Sequence, residues 1–397
     1  MKIFKFLAIA LVAMLGFTAC DKDCDHDFIE HDHSADLVGT WTCLQKDFAE
    51  ALIIKADGSV VSTGVAFGEY WENVKGNIVV ENGNATMTFE DHDNYKGHFD
   101  IIPGMAFSIY NDEGVRFTYN YCKEDLADEI VGMWVVANGT PDMTIETYYE
   151  DGRSTFTGIV NGEMTLKHER NYKVVGDLSF HTTIEDPSTY VAQRLIYSPN
   201  ATSYGDLMTW QLNNDFSFTR LRIKQYLELP GMKYDYIKTF VSNVKGLDKD
   251  IDFMGYTFNF AKMDGVKLDK MLKTLLFTVE FPDANTIKYS CHYNNQPMSM
   301  EAPIAVDGNK MTVKMSEKNP AYKDVDLYTF QDKDNTQMHM YMHSTGFVNF
   351  FGNMQVTIME QLGQLDTTDA AAVKAVFDSI DEAVETINLS LVMTRAK

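Results

Sequence analysis

The sequence predicts a mainly β protein, with antiparallel barrels or sandwiches in tandem and helical insertions in the last unit. Three observations predict it. LVGTW at Leu37–Trp41 returns as IVGMW at Ile130–Trp134. Each tryptophan is followed, at nearly the same distance, by an Asp-Gly pair, Asp57-Gly58 and Asp151-Gly152, and such a pair between β-rich stretches is a strong short-range hairpin signal. Short segments rich in Val, Ile, Thr, Phe and Tyr then recur at roughly 10-residue spacing with turn residues between them, the signature of an up-and-down barrel or sandwich.

The first unit, residues 36–122, opens on Gly39-x-Trp41 and folds ALIIKADGSVVST into the first hairpin. NIVVENG, TMTFED, KGHFDII, MAFSIY and VRFTYNYC supply its remaining strands. KEDLADEIVG, Lys123 to Gly132, is an acidic connector and the best boundary. The second unit, 128–228, repeats the opening at Gly132-x-Trp134 and continues through TIETYYEDGRSTFTG, MTLKHE, LSFHTTI, TYVAQRLIY, LMTWQL and FTRLRIKQY. The third, 229–397, has no Gly-x-Trp. Ile237, Phe240, Val241 and Val244 fall at helical spacing and predict a helix over 234–244. FTVEFPDANTIKYSC and APIAVDGNKMTVKM repeat the hairpin pattern, and DLYTFQ, QMHMYMH and NLSLVMTR read as further strands. Val373, Val376, Phe377, Ile380, Val384 and Ile387 share one helical face behind Asp366, Thr367 and Thr368. Helices inserted near a barrel rim are expected to cap its mouth.

Residues 1–19, MKIFKFLAIALVAMLGFTA, place Lys2 and Lys5 before an apolar run that ends in small residues. That run is shorter than the ~20 residues a membrane span needs, so it reads as a secretory signal. Residues 20–35 are polar, acidic and without apolar periodicity, as expected of a flexible tether. The formal net charge is −23, and removal of a leader with Lys2 and Lys5 makes it −25. A field of that sign repels phosphate backbones and argues against a nucleic-acid partner.

Two resemblances add to this reading. FTAC at Phe17–Cys20 resembles the lipobox of bacterial lipoproteins, which implies lipidation of Cys20 and attachment to the cell envelope. The acidic run behind it is similar to surface-export signals of some Gram-negative lipoproteins, which points to the outer membrane, while Asp21 is similar to an inner-membrane retention signal of others. Lipid chains hold by burying methylenes at about 0.8 kcal/mol each. Gly39-x-Trp41 and Gly132-x-Trp134 resemble the Gly-x-Trp of lipocalins and the wider calycin group. That resemblance implies that both tryptophans close barrel floors and that the barrels take a small ligand.

No nucleophile elbow, paired-histidine zinc helix, phosphate-cradling loop or dinucleotide fingerprint is present, so the expectation is a non-enzymatic protein without cofactor. Three kinds of site remain to be placed. Tyr70, Trp71, Tyr148, Tyr149 and Trp210 are candidates for stacking on sugars, Trp71 and Trp210 above all, against the alternative that strand aromatics are core. His26, His31 and His33 in the tether and His339 and His343 in MHMYMH are weak metal candidates, although alternation puts the methionines and imidazoles of that strand on opposite faces. Cys43 in the first strand and Cys122 in the last are neighbours in a closed barrel, either bridged or separately reduced. The expected work is binding of a small apolar or glycan ligand, or of an envelope protein partner. The alternatives are a scaffold with filled barrels, a glycan hydrolase or a metal-sequestering protein.

Overall fold

The structure is a computed structural model that describes residues 35–90, 94–110, 114–136, 143–160, 162–201, 206–213, 216–253, 255–262 and 265–396. The leader, Cys20 and tether histidines His26, His31 and His33 lie outside the described residues. The chain forms three closed eight-stranded antiparallel barrels in succession.

The first barrel runs through β1 (Gly39–Leu44), β2 (Phe48–Ile54), β3 (Ser59–Ala66), β4 (Glu69–Glu81), β5 (Asn84–Phe89), β6 (Tyr95–Ile102), β7 (Ala106–Tyr110) and β8 (Arg116–Cys122), and β8 closes on β1. A helical turn, α1 (Ala127–Ile130), leads into the second barrel. Its strands are β9 (Gly132–Val136), β10 (Met143–Tyr148), β11 (Arg153–Val160), β12 (Glu163–Val175), β13 (Leu178–Thr182), β14 (Tyr190–Ser198), β15 (Leu207–Asn213) and β16 (Phe216–Ile223), and β16 closes on β9. Each strand follows its sequence neighbour around these two barrels, as hairpin signals predict.

The third barrel begins with β17 (Met232–Gly246). An excursion through the hairpin β18 (Asp250–Phe253) and β19 (Tyr256–Asn259) and helix α2 (Gly265–Thr274) precedes β20 (Thr278–Asp283). Then come β21 (Thr286–Tyr293), β22 (Gln296–Asp307), β23 (Lys310–Val313), the turn α3 (Met315–Lys318), β24 (Val325–Gln331) and β25 (Gln337–His343). Helices α4 (Ser344–Gln361) and α5 (Ala370–Asp381) intervene before β26 (Val384–Arg395), which closes the barrel against β17.

The helix expected over 234–244 is instead β17. Its Tyr, Ile, Thr, Phe and Val content favours strand, and a register shift between Tyr236 and Lys238 breaks the alternation, so the apolar positions drift into a helix-like spacing. The terminal helix is shorter than its apolar face suggested. Asp369 caps it by accepting from the backbone N–H groups of Ala371 and Ala372, and Val384 and Ile387 already belong to β26. Helix α4 gave no periodic signal because it is apolar on nearly every face, as a helix buried all round must be. It packs against β22, β24, β25 and β26 and so lies across the third barrel. A Cβ at Gly352 would stand 2.4 Å from the Phe377 ring, so glycine there lets α4 and α5 touch.

Outward-facing apolar strips join consecutive barrels. Ala49, Ala51 and Val65 of the first meet Val175, Leu178 and Phe180 of the second, with Tyr70 stacked on Tyr190 at 4.2 Å. Val135, Ile145, Ile159, Leu221 and Ile223 of the second meet Tyr328, Phe330 and Tyr341 of the third. The linker behind β16 is tied to β24, where Gln331 carries both Lys224 and Glu228 by backbone and side-chain hydrogen bonds.

Candidate binding sites

The repeated Gly-x-Trp builds the same device twice. Gly39 and Gly132 sit at φ of +139° and +130°, backbone that favours glycine. Each lets the chain enter its strand so that the tryptophan turns inward. Trp41 Nε1 then donates to Leu37 O at 2.6 Å and Trp134 Nε1 to Ile130 O at 2.7 Å. Both rings are fully buried, in separate cores. Tyr121 meets Trp41 edge-on at 5.0 Å, and the Arg222 guanidinium lies 5.5 Å from the Trp134 ring centroid.

Large buried side chains occupy the barrel interiors. The first, whose core holds Trp41, Phe107 and Tyr119, also buries a carboxyl, Glu50, which accepts from Ser62 Oγ at 2.5 Å and from the Tyr119 hydroxyl. Trp71 Nε1 donates to the same Ser62 at 2.7 Å. Burial pushes Glu50 up to about 7 against the pull of its two hydroxyl partners. The native state therefore holds a proton that the unfolded chain, near 4.5, has released. Stability is greatest at and below pH 4.5 as far as this group is concerned, and falls as pH rises through 7, by on the order of 3 kcal/mol. Glu50→Gln is expected to abolish that slope. Urea unfolding midpoints at pH 5 and pH 8 for both proteins measure it, and equal slopes in the two would disprove it.

The second barrel holds an ion cluster. Arg170 Nη2 donates to Glu146 Oε1 at 2.5 Å, Arg220 Nη1 donates to Glu146 Oε2, and Tyr148 donates to the same oxygen at 2.9 Å. Glu146 and Arg220 are both buried. Met338, Met340 and Met342 belong to the core of the third barrel; an apolar void of about 20 Å³ lies between α4 and β21–β22, and one of about 10 Å³ between α4 and the β18–β19 hairpin.

A larger space lies outside the barrels. A cleft of about 730 Å³ separates the Gly132 end of the second barrel from the β22–β23 turn of the third. Tyr149, Glu150 and Asp151 of the β10–β11 hairpin, Gln225 and Tyr226 of the linker, and Gly308 and Asn309 of the opposing turn line it. Tyr226 is 68% exposed and Tyr149 39%. The Arg153 guanidinium stacks on Tyr149 and bonds Asp151 at 2.8 Å, which holds the Asp151 carboxyl below its usual range.

The other sequence candidates fall elsewhere. Trp210 has no exposure and packs among Trp134, Tyr148 and Phe218, so it does not stack on a sugar. Trp71 lies over Gly64 with its N–H committed to Ser62, as part of the barrel wall. Cys43 and Cys122 are free. The β1–β8 register sets Cys122 opposite Thr40, about 10 Å along the strand from Cys43. Cys43 also faces the core whereas Cys122 touches Gly176 of the second barrel; a bridge needs Cα atoms within about 7 Å. His339 and His343 stand four residues apart on one strand, about 13 Å, too far to share an ion. His343 Nδ1 lies 2.6 Å from Asn388 Oδ1, and burial holds His339 neutral, down at about 4. Among the described residues no group of three metal-ligating side chains gathers.

Sequence reasoning missed Glu50, the Glu146 cluster and Tyr226. Inward polar residues on an alternating strand look like its solvent face, and of the aromatic candidates Tyr148 and Tyr149 border the cleft.

Fold and sites together define a tandem β-barrel protein with an inter-barrel cleft. No family model matches the chain and no curated protein matches it in sequence. Among solved structures, a transferrin binding protein B mutant from Haemophilus parasuis is similar over 89% of this chain and 66% of its own, at 11% identity and a TM-score of 0.24. Isotype 1 transferrin binding protein B from Neisseria meningitidis is similar over 88% of this chain and 66% of its own, at 7% identity and a TM-score of 0.20. The chain thus spans just under two thirds of those proteins, and likenesses at these scores carry no argument about function.

Proposed function

We propose that the chain is a non-enzymatic, lipid-anchored binding protein of a bacterial envelope, and that its cleft between the second and third barrels takes a glycan. The observation that carries the reading is an open cleft of about 730 Å³ between two barrels whose interiors are occupied by large buried side chains. Ligand sites are commonly clefts of ~300–1,000 Å³ at domain junctions. Tyr226 and the face of Tyr149 away from Arg153 offer ring surfaces, while Gln225, Glu150 and Asp151 offer an amide and carboxylates suited to hydroxyl groups. The acidic lining disfavours anionic ligands. Anchoring rests on the FTAC resemblance at Cys20, and the lipocalin-like reading of the Gly-x-Trp units is retained for barrel architecture rather than for a ligand in the barrel.

Calorimetric titration with a panel of neutral oligosaccharides tests the proposal. Tyr226→Ala is expected to weaken binding about 3- to 10-fold, the range of a lost aromatic contact, with Asp151→Asn as a second probe. A panel that fails to bind, or affinities untouched by both changes, would sink it.

A further inference from the structure

The ion cluster inside the second barrel does not balance. Two guanidiniums, Arg170 and Arg220, share the single carboxylate of Glu146. Both are largely buried, with side-chain exposures of 12% and 7%. His181 contributes no charge, since burial and the two arginines hold it well below its ordinary value. Five buried polar atoms in this layer have no hydrogen-bond partner among the described residues: the donors Arg170 Nε, Arg220 Nε, Ser154 Oγ and Trp210 Nε1, and His181 Nδ1. They belong to one neighbourhood. Ser154 is the cross-strand partner of both Tyr148 and Arg170. The Tyr148 ring lies 6.0 Å from that of Trp210, and the Arg220 guanidinium sits 5.1 Å from the Trp210 ring and 4.5 Å from Phe218. Trp210 and Ser154 are themselves fully buried.

Buried charge is tolerated when it is paired, and buried donors when they are bonded. This layer has a surplus of one positive charge and of N–H and O–H groups, with its single carboxylate already accepting from both arginines and Tyr148. We propose that the second barrel binds a small monovalent anion, of halide or carboxylate size, against the free edges of Arg170 and Arg220 beside Ser154 and Trp210. The first barrel makes the contrast. Its buried Glu50 has hydroxyl partners and no arginine bonded to it, so that interior reaches neutrality by keeping a proton.

Crystals of the full chain soaked in sodium bromide should show an anomalous peak within hydrogen-bond distance of both guanidiniums, and calorimetry should give saturable bromide binding. Glu146→Gln keeps the shape of the cluster and raises its local charge from +1 to +2, so it should tighten bromide at least about ten-fold. Ser154→Ala, which removes one neutral donor and keeps the fold even if the glutamine variant does not, should weaken it about five-fold. Acetate competing with bromide would assign the pocket to a carboxylate-bearing ligand and bromide alone to an inorganic ion, and both support the inference. Ordered water at the guanidiniums in place of bromide, or binding indifferent to Ser154→Ala, would overturn it.

Discussion

Replacing Glu146 with alanine is expected to cost about 3–5 kcal/mol and to loosen the whole second barrel, because the change strips the counter-charge from two buried guanidiniums at once. Arg170 and Arg220 both bond its carboxylate, and the Tyr148 hydroxyl loses its acceptor with them. The Coulombic attraction of such a cluster roughly offsets the cost of taking its ions out of water, so the pairing adds little by itself. Breaking it is what is expensive. The triple change Glu146→Leu, Arg170→Met and Arg220→Met should therefore recover most of the loss, since no charge is then left in the interior. Equilibrium unfolding in urea gives the totals, and amide exchange along β9–β16 shows where they fall. A single-variant loss under about 1 kcal/mol would mean that the guanidiniums keep their hydration in the fold.

The second large effect belongs to the tryptophans. Trp41→Ala and Trp134→Ala should each cost about 3–5 kcal/mol, the usual range for deleting a buried indole. Trp→Phe at either position keeps an aromatic ring in the core but removes part of the indole and the Nε1 donor, leaving the carbonyl of Leu37 or Ile130 without that bond, at about 1–3 kcal/mol. The effects should be local. Trp41 packs in the core of the first barrel and Trp134 in that of the second. Exchange in Trp41→Ala should rise across β1–β8 while the third barrel, whose core is a separate cluster, keeps its protection. Uniform loss of protection across all three barrels would show that the inter-barrel seams couple their unfolding into one event.

Much of the architecture was legible because it is written in local rules. The Asp-Gly pairs mark real hairpins: Gly58 N–H donates to Lys55 O at 3.0 Å and Gly152 N–H to Tyr149 O at 3.1 Å. MHMYMH is a strand whose methionines face in, as period two requires. What misled was long-range. Over 234–244 the bulges that let β17 follow β26 disguise the alternation, and a bulge is set by the partner strand. Helix α4 owes its stability to surfaces from four strands and α5, so its own residues carry no amphipathic stripe.

The sites divide the same way. Gly39 and Gly132 carry a positive φ beside the buried indoles of Trp41 and Trp134, a local demand that only certain residues meet and that a repeated motif can therefore carry. Glu50, Glu146, Arg170 and Arg220 were not legible, because a charged residue on an alternating strand carries no mark of which face closes inward. The cleft was less visible still, since Tyr149, Tyr226 and Asn309 come from two barrels and a linker and meet only once the apolar seam has docked the barrels. By itself the sequence determined strands, turns and the repeated barrel opening, all governed by contacts within a few residues. Tertiary structure alone decided which side chains meet inside the barrels, which charges are sealed there and where open space remains, because those depend on how distant surfaces exclude water from one another.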